Sequence, residues 1–140
     1  MGDKVEFASP EWFAALKTKF EAYASGAPQG VDFSVCEVFT GVPKHLDKDG
    51  SGVIAWHCRI TPGKFDFAYG ESDTVDMKTV TDYEFILPFA RMKIGPETAA
   101  EYQKQMQIGV ETGKITRNGD GSKAPQELYA IHNDLADITA

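Results

Sequence analysis

Hydrophobic positions first recur at helical spacing near the N-terminus. Residues 9–11 read Ser-Pro-Glu, which supplies an N-cap, a proline in the first turn and an acid near the positive end of the helix dipole. The large apolar residues that follow share one face because they recur at intervals of three and four: Trp12, Phe13, Leu16, Phe20 and Tyr23. A glycine and a proline at positions 26 and 28 end the pattern. It predicts an amphipathic helix.

The next part of the chain alternates with a period of two, which is typical of half-buried strands. Residues 31–39 form the first such stretch, although Glu37 falls on its apolar side. A polar loop over residues 44–52 leads to a second stretch, and two more follow after turn-forming residues. Their apolar sides carry Val31, Phe33, Val35 and Phe39, then Ile54, Trp56, Cys58 and Ile60, then Phe65, Phe67 and Tyr69, then Val75, Met77 and Thr79. Consecutive short strands predict an antiparallel meander.

The rest of the chain is mostly helical in pattern. Thr81 and Glu84 have the spacing of a capping box, which opens a short helix that Pro88 should shorten. Residues 96–106 indicate a second helix, residues 113–117 a fifth strand, and the residues after Pro125 a terminal amphipathic helix. The chain is therefore predicted to be a single α+β domain over residues 1–140, with about five mostly antiparallel strands.

Composition narrows the classes of function. The 140 residues carry a formal net charge of -7, and 42% of them are hydrophobic. This acidity disfavours nucleic acid and anionic membranes as partners, because both would repel the chain. The chain lacks an apolar run of about 18 residues, which excludes a transmembrane helix and stable membrane insertion. The N-terminus also lacks the pattern of a signal peptide, so a cytoplasmic location is expected.

Two cysteines, Cys36 and Cys58, lie in the first two predicted strands. A hairpin centred near Asp47 would set them opposite each other and allow a cross-strand disulfide. Two reduced thiols in the core are the favoured alternative for a cytosolic protein.

Motifs for metal binding and catalysis are weak. Residues 47–52 reproduce the start of an EF-hand calcium loop, but Cys58 stands where the twelfth-position glutamate should be. We therefore expect a hairpin turn that does not bind calcium, and we assign no metal, cofactor or catalytic residue. Of the three histidines, His57 and His132 have no second ligand at helical spacing, and His45 lies in a loop beside Lys44. A dyad of His57 with Asp32 or Glu37 stays open.

Aromatic residues are numerous, with nine Phe, five Tyr and two Trp. Packing in the core accounts for most of them. Because large rings also pack with irregular gaps, a ligand cavity lined by several of them is an equal alternative.

The order of elements resembles the sterol carrier protein 2 family from about residue 9 to residue 139. The motifs that carry the resemblance are the strand and capped helix over residues 76–84 (Asp-Met-Lys-Thr-Val-Thr-Asp-Tyr-Glu) and the stretch over residues 113–120 (Gly-Lys-Ile-Thr-Arg-Asn-Gly-Asp) before the last helix. The resemblance implies a five-stranded sheet with helices over one face and an apolar tunnel for fatty acyl chains, sterols or similar lipids. The chain ends in Ile-Thr-Ala and so departs from the Ser-Lys-Leu-like peroxisomal address of eukaryotic members.

These observations favour a carrier for a hydrophobic small molecule over an enzyme. The candidate ligand-binding residues are Phe33, Trp56, Phe67, Phe85, Phe89 and Met106. The alternative is a small enzyme with the cone-shaped fold of ketosteroid isomerase and nuclear transport factor 2, which would perform acid–base chemistry on an apolar substrate. Ligand identity and oligomeric state do not follow from the sequence.

Overall fold

The computed structural model describes residues 4–122 and 124–140 of the chain. Four helices and five strands follow one another in the order α1 (Pro10–Ser25), β1 (Phe33–Thr40), β2 (Val53–Thr61), β3 (Lys64–Tyr69), β4 (Met77–Asp82), α2 (Tyr83–Ala90), α3 (Ala99–Glu111), β5 (Ile115–Gly119) and α4 (Leu128–Ile138). All five strands form one mixed sheet. The predicted fold class is confirmed. None of the helices in the described ranges is both long and apolar enough to cross a membrane.

Helix α1 begins and ends where the sequence predicts. The Ser9 hydroxyl accepts a hydrogen bond from the Trp12 backbone N–H at 3.2 Å, with Pro10 at the first helical position. Gly26 follows the last turn. The buried face carries Trp12, Phe13, Leu16, Phe20 and Ala24, and this face packs on the sheet.

The sheet is a meander only over its first three strands. β1 pairs with β2 and β2 with β3, both antiparallel, but β4 crosses back and pairs with β1 in parallel. The strand order is therefore β3-β2-β1-β4-β5, and the predicted meander is wrong for β4. Where the connection after β3 returns to β1, the Asp76 carboxylate accepts hydrogen bonds from the backbone N–H and the hydroxyl of Ser34, at 2.9 and 3.2 Å.

The two cysteines lie on opposite faces of the sheet. The register places Cys36 opposite His57 and Cys58 opposite Val35, so the hairpin is centred half a residue away from the position that would pair the thiols. Both thiols are free and buried. The disulfide alternative is wrong, because a shift of one residue moves a side chain to the other face.

The start of α2 differs from the predicted capping box by one residue. Asp82 is the N-cap, and its carboxylate accepts a hydrogen bond from the Phe85 backbone N–H at 3.0 Å. Thr81 is instead a buried residue of β4. Pro88 lies inside the helix, which spans only 8 residues.

The calcium-like loop forms the predicted hairpin turn between β1 and β2. The Asp47 carboxylate accepts a hydrogen bond from the Gly52 N–H at 2.8 Å, and Asp49 accepts from both the N–H and the hydroxyl of Ser51. These carboxylates thus stabilise the turn itself. Over the residues that the structure describes, no group of three or more His, Cys, Asp or Glu could hold a metal ion.

Candidate functional site

A cavity of about 270 Å³ lies between the inner face of the sheet and the four helices. Every helix contributes to its wall, as do β1, β2, β4 and β5. Besides the partly buried Tyr102, the Phe, Tyr and Trp residues of the wall are Phe7, Trp12, Phe20, Phe33, Trp56 and Phe89. All six of these side chains are buried, so the cavity is formed by the core itself.

Four of the six predicted ligand-binding residues line this cavity: Phe33, Trp56, Phe89 and Met106. Phe67 and Phe85 do not. Phe67 stacks on the far side of Trp56, with ring centroids 5.7 Å apart, and Lys17 Nζ lies 4.8 Å from its ring centre. Phe85 packs against Phe89 and lies close to Gly109 of α3. Binding of a ligand by the four wall residues stays a prediction.

Other wall residues escaped the sequence analysis as site residues. Met77, Ile86 and Tyr102 come from β4, α2 and α3, and Ile131 and Leu135 come from α4. Periodicity marks each of them as apolar or aromatic, but it does not separate a residue that borders a cavity from one in solid core. Glu37 is the one wall residue with a recognisable signal, because a charged residue on the apolar side of β1 stands out in the sequence.

Glu37 brings a carboxyl group into this wall. It belongs to a row of side chains across four strands, since Trp56 pairs with Glu37, Glu37 with Thr79, and Thr79 with Arg117. Burial raises the pKa of Glu37 to about 7, and the charge of Arg117 acts in the opposite direction. Within the described parts of the chain, the carboxyl has no hydrogen-bond partner. Glu37 keeps some accessible surface, part of which borders the cavity rather than bulk water.

Two further titratable side chains in the wall are held neutral. Burial raises the pKa of the Tyr102 hydroxyl and lowers the pKa of His132. His132 Nε2 donates a hydrogen bond to the Met92 carbonyl at 2.8 Å, and its ring lies edge-on to Tyr102. At neutral pH, the charge in the described wall therefore comes from Glu37 and from Arg117, whose side chain is exposed at the edge of the sheet.

The histidine dyad considered from sequence does not form. His57 lies on the outer face of β2, whereas Glu37 lies on the inner face of β1. Asp32 forms a bidentate ion pair with Arg59, at 2.9 and 2.7 Å. His57 Nδ1 instead lies 2.9 Å from the Gly70 carbonyl oxygen. The alternation of the strands, which directs neighbouring residues to opposite faces, thus separates His57 from Glu37, whereas Asp32 is taken up by Arg59.

Two depressions of about 570 and 610 Å³ lie elsewhere on the molecule. One follows the outer face of the sheet beside Asp32, Arg59 and Asp66, and the other follows the β1–β2 hairpin beside Lys48 and Tyr69. These residues are exposed or only partly buried. The smaller inner cavity is the better candidate site, because apolar buried walls exclude water and bind apolar ligands.

The chain matches no model of a protein family and no curated protein. It is similar to the sterol carrier protein domain 2 of Helicoverpa armigera, with 16% identity, a TM-score of 0.51 and coverage of 97% of this chain and 96% of that one. A crystal structure of sterol carrier protein 2 is 15% identical, with a TM-score of 0.48 and coverage of 95% and 96%. The palmitated SCP2L2 of Aedes aegypti is 16% identical, with a TM-score of 0.47 and coverage of 94% and 96%.

The resemblance predicted from sequence is thus confirmed as a likeness of fold. The chain has the fold of sterol carrier protein 2 domains. The alternative cone-shaped fold finds no support, because here a helix and not a long strand ends the chain after a five-stranded mixed sheet.

Proposed function

We propose that this protein binds a hydrophobic small molecule in the inner cavity and acts as its carrier. The observation that supports this most is the wall itself, since side chains from all four helices and four strands surround a space that they do not fill. Solid cores leave few voids larger than a water molecule. The fold is also that of the Helicoverpa armigera protein, whose name states a sterol as its cargo.

The volume limits the size of the cargo. A cavity of about 150 Å³ lined by apolar side chains holds one benzene molecule. A cavity of about 270 Å³ therefore suits roughly ten or eleven non-hydrogen atoms. Among the fatty acyl chains, sterols and similar lipids that the resemblance implies, we propose a medium-length acyl or alkyl chain as the ligand class. A four-ring sterol would need the helices to move away from the sheet.

We infer that the chain forms a single domain around one main hydrophobic core. The main cluster of buried residues includes Phe7 near the N-terminus and Leu135 near the C-terminus, which supports a single domain over residues 1–140. We also infer that the protein acts without a catalytic pair, because His57 and Asp32 are engaged elsewhere. A cytoplasmic location and the absence of a nucleic-acid partner stay predictions from composition.

Displacement of an environment-sensitive apolar dye by straight-chain alcohols of increasing length tests the proposal. Each CH₂ group buried contributes about 0.8 kcal/mol, so affinity should rise about fourfold per carbon and level off near ten carbons. Failure of every chain length to displace the dye, or to raise the melting temperature, would overturn the carrier function.

A matched pair of substitutions locates the binding site. Ala90 lines the cavity, whereas Ala68 lies exposed on the outer side of β3. Ala90→Leu should shorten the chain length at which affinity levels off by about two or three carbons, because the added atoms occupy the space of as many methylenes. Ala68→Leu should leave that length unchanged. Equal effects of the two variants would mean that the alcohols bind somewhere else.

A further inference from the structure

We propose that the ligand of the inner cavity carries a hydroxyl group at its polar end, and that the carboxyl of Glu37 and the indole N–H of Trp56 bind this group. The inference rests on the proposed function and deepens it, because it assigns a chemical class to the end of the ligand. Neither the fold nor the apolar character of the wall requires such a site.

Glu37 is the first observation. It is a wall residue between the apolar inner-face positions Val35 and Phe39 of β1. A carboxyl group without partners is costly in an apolar environment, and a core of this fold would accept a leucine or a valine at the same position. In the described residues, nothing from the protein supplies the missing hydrogen bond. A ligand that donates one would supply it.

Trp56 is the second and independent observation. Its side chain is 2% exposed and lines the same cavity. Of the described buried side-chain nitrogen and oxygen atoms, three have no hydrogen-bond partner: Trp56 Nε1, Tyr23 Oη and Asp47 Oδ1. Trp56 is the one of these three residues that lines the cavity. The other tryptophan in the chain has a hydrogen-bond partner, since Trp12 Nε1 donates to the Thr139 hydroxyl at 3.2 Å.

The sheet brings these two groups together. Trp56 and Glu37 are directly paired residues of β2 and β1, so their side chains leave the same face from neighbouring positions. Directly opposed residues of an antiparallel pair have Cβ atoms about 5 Å apart. Both residues also line the cavity, so the carboxyl and the indole belong to one part of its wall.

A hydroxyl group is the chemical match for that pair. It donates one hydrogen bond and accepts up to two, so it satisfies the Glu37 carboxyl and the Trp56 N–H together. An ether or ester oxygen accepts only, and would leave Glu37 unsatisfied. An ionised carboxylate also accepts only and would be repelled by the Glu37 charge. Burial raises the pKa of Glu37 to about 7, so at neutral pH about half of the molecules carry the ionised carboxylate, which only accepts hydrogen bonds.

Competition by matched ten-carbon probes tests the proposal. The probes are 1-decanol, decyl methyl ether and decanoate, which share the alkyl chain and differ at the polar end. At about pH 8 Glu37 is mostly ionised, and hydrogen bonds to charged groups are then worth at least a factor of ten. We expect wild-type protein to bind 1-decanol about tenfold more tightly than the ether. Decanoate should bind more weakly than 1-decanol.

Three variants test whether Glu37 and Trp56 cause the preference for 1-decanol over the ether. In Glu37→Leu the ratio between alcohol and ether should fall to about one, while the ether binds at least as well as before. In Glu37→Gln, which keeps the size of the side chain, decanoate should bind about tenfold more tightly than it does to wild type, because the repelling charge is gone. Trp56→Phe should weaken alcohol and ether together, since both accept the lost N–H. Trp12→Phe, the same change at a wall position with a partnered N–H, should weaken them less.

The outcomes separate this inference from the proposed function. If alcohol and ether bind equally to wild type, the hydroxyl site is overturned while the carrier function stands. If decanoate binds most tightly and this affinity is lost in Arg117→Gln, the polar end of the ligand lies beside Arg117 at the edge of the sheet. That result also overturns the inference. If none of the three probes binds, both proposals fail. Glu37→Gln carries the test should Glu37→Leu fail to fold.

Discussion

At the scale of single residues, Glu37 links the cavity to stability. Its pKa lies near 7 in the folded protein, above the ordinary value of 4.5 for a glutamate side chain, so the folded state binds the extra proton between those values. A carboxyl whose pKa is raised by folding makes the protein less stable as pH rises through that window. The loss is complete above pH 7 and absent below about pH 4.5.

Glu37→Gln should remove this loss. At about pH 8 the variant should be more stable than wild type by up to roughly 3 kcal/mol, and at about pH 4 the two should unfold alike. Urea unfolding at both pH values measures the difference. Glu97→Gln, a change at an exposed position of the chain, is the control and should alter neither value. A Glu37→Gln variant that is less stable than wild type at pH 8 would mean that the carboxylate has a favourable partner.

A second residue-scale prediction compares two glycines with positive φ. Gly119, at φ +100, lies against the backbone of Asp76, and a Cβ there would collide with the Asp76 carbonyl. Gly50, at φ +78 in the β1–β2 turn, has nothing within 4 Å of such an atom. Gly50→Ala should cost only the backbone strain of about 1 kcal/mol, and Gly119→Ala about 2 to 3 kcal/mol more. Equal losses in urea unfolding would show that β5 can move away from β4.

At the scale of elements, sequence patterns predict well which helices and strands exist, and predict poorly which of them are in contact. The Ser9 cap, the helix that it starts and the alternation of β1 and β2 all depend on neighbours within a few residues. The N-cap of α2 shows that such local patterns do not always select the correct residue. Thr81 and Asp82 are both good N-caps by residue type, and the pairing of Thr81 with Ile115 of β5 leaves Asp82 for the helix.

The packing of α3 gives an element-scale prediction. A Cβ on Gly109 would lie 2.8 Å from Phe85 and from Ile115, so α3 approaches α2 and β5 closely at this residue. Alanine favours a helix by about 1 kcal/mol over glycine, but overpacking at two neighbours costs about 1 to 3 kcal/mol. Gly109→Ala should therefore destabilise the protein by about 1 kcal/mol in urea unfolding. Lys104→Ala, at an exposed position of the same helix, should be neutral, and a gain in stability at Gly109 would show that the contact is loose.

At the scale of the whole molecule, the cavity divides the aromatic residues into two groups. Phe89 borders the cavity, whereas Phe39 is 1% exposed and borders neither the cavity nor the two depressions described above. Removal of a ring from solid core costs about 3 to 5 kcal/mol, because transfer and cavity terms both apply. A ring beside an existing cavity has fewer contacts to lose.

Phe89→Ala should therefore destabilise the protein less than Phe39→Ala, by about 1 to 2 kcal/mol in urea unfolding. It should also reduce the rise in melting temperature that 1-decanol causes, since a bound ligand stabilises only the folded state. Phe39→Ala should lower the melting temperature and keep most of that rise. Equal losses of stability in the two variants, with the rise unaffected, would show that the ring of Phe89 belongs to a filled core.

The amino-acid sequence by itself determined the nine elements, the fold class and the apolar inner face on which Glu37 is the exception, because periodicity, caps and turns act over a few residues. Only the tertiary structure decided that β4 joins β1 in parallel, that the cysteines face opposite ways, and that Phe33, Trp56, Phe89 and Met106 border the cavity while Phe67 and Phe85 do not. Strand order and register depend on contacts between residues far apart in the chain. Whether a buried ring borders a cavity depends on how several elements pack at once, and no local pattern records that.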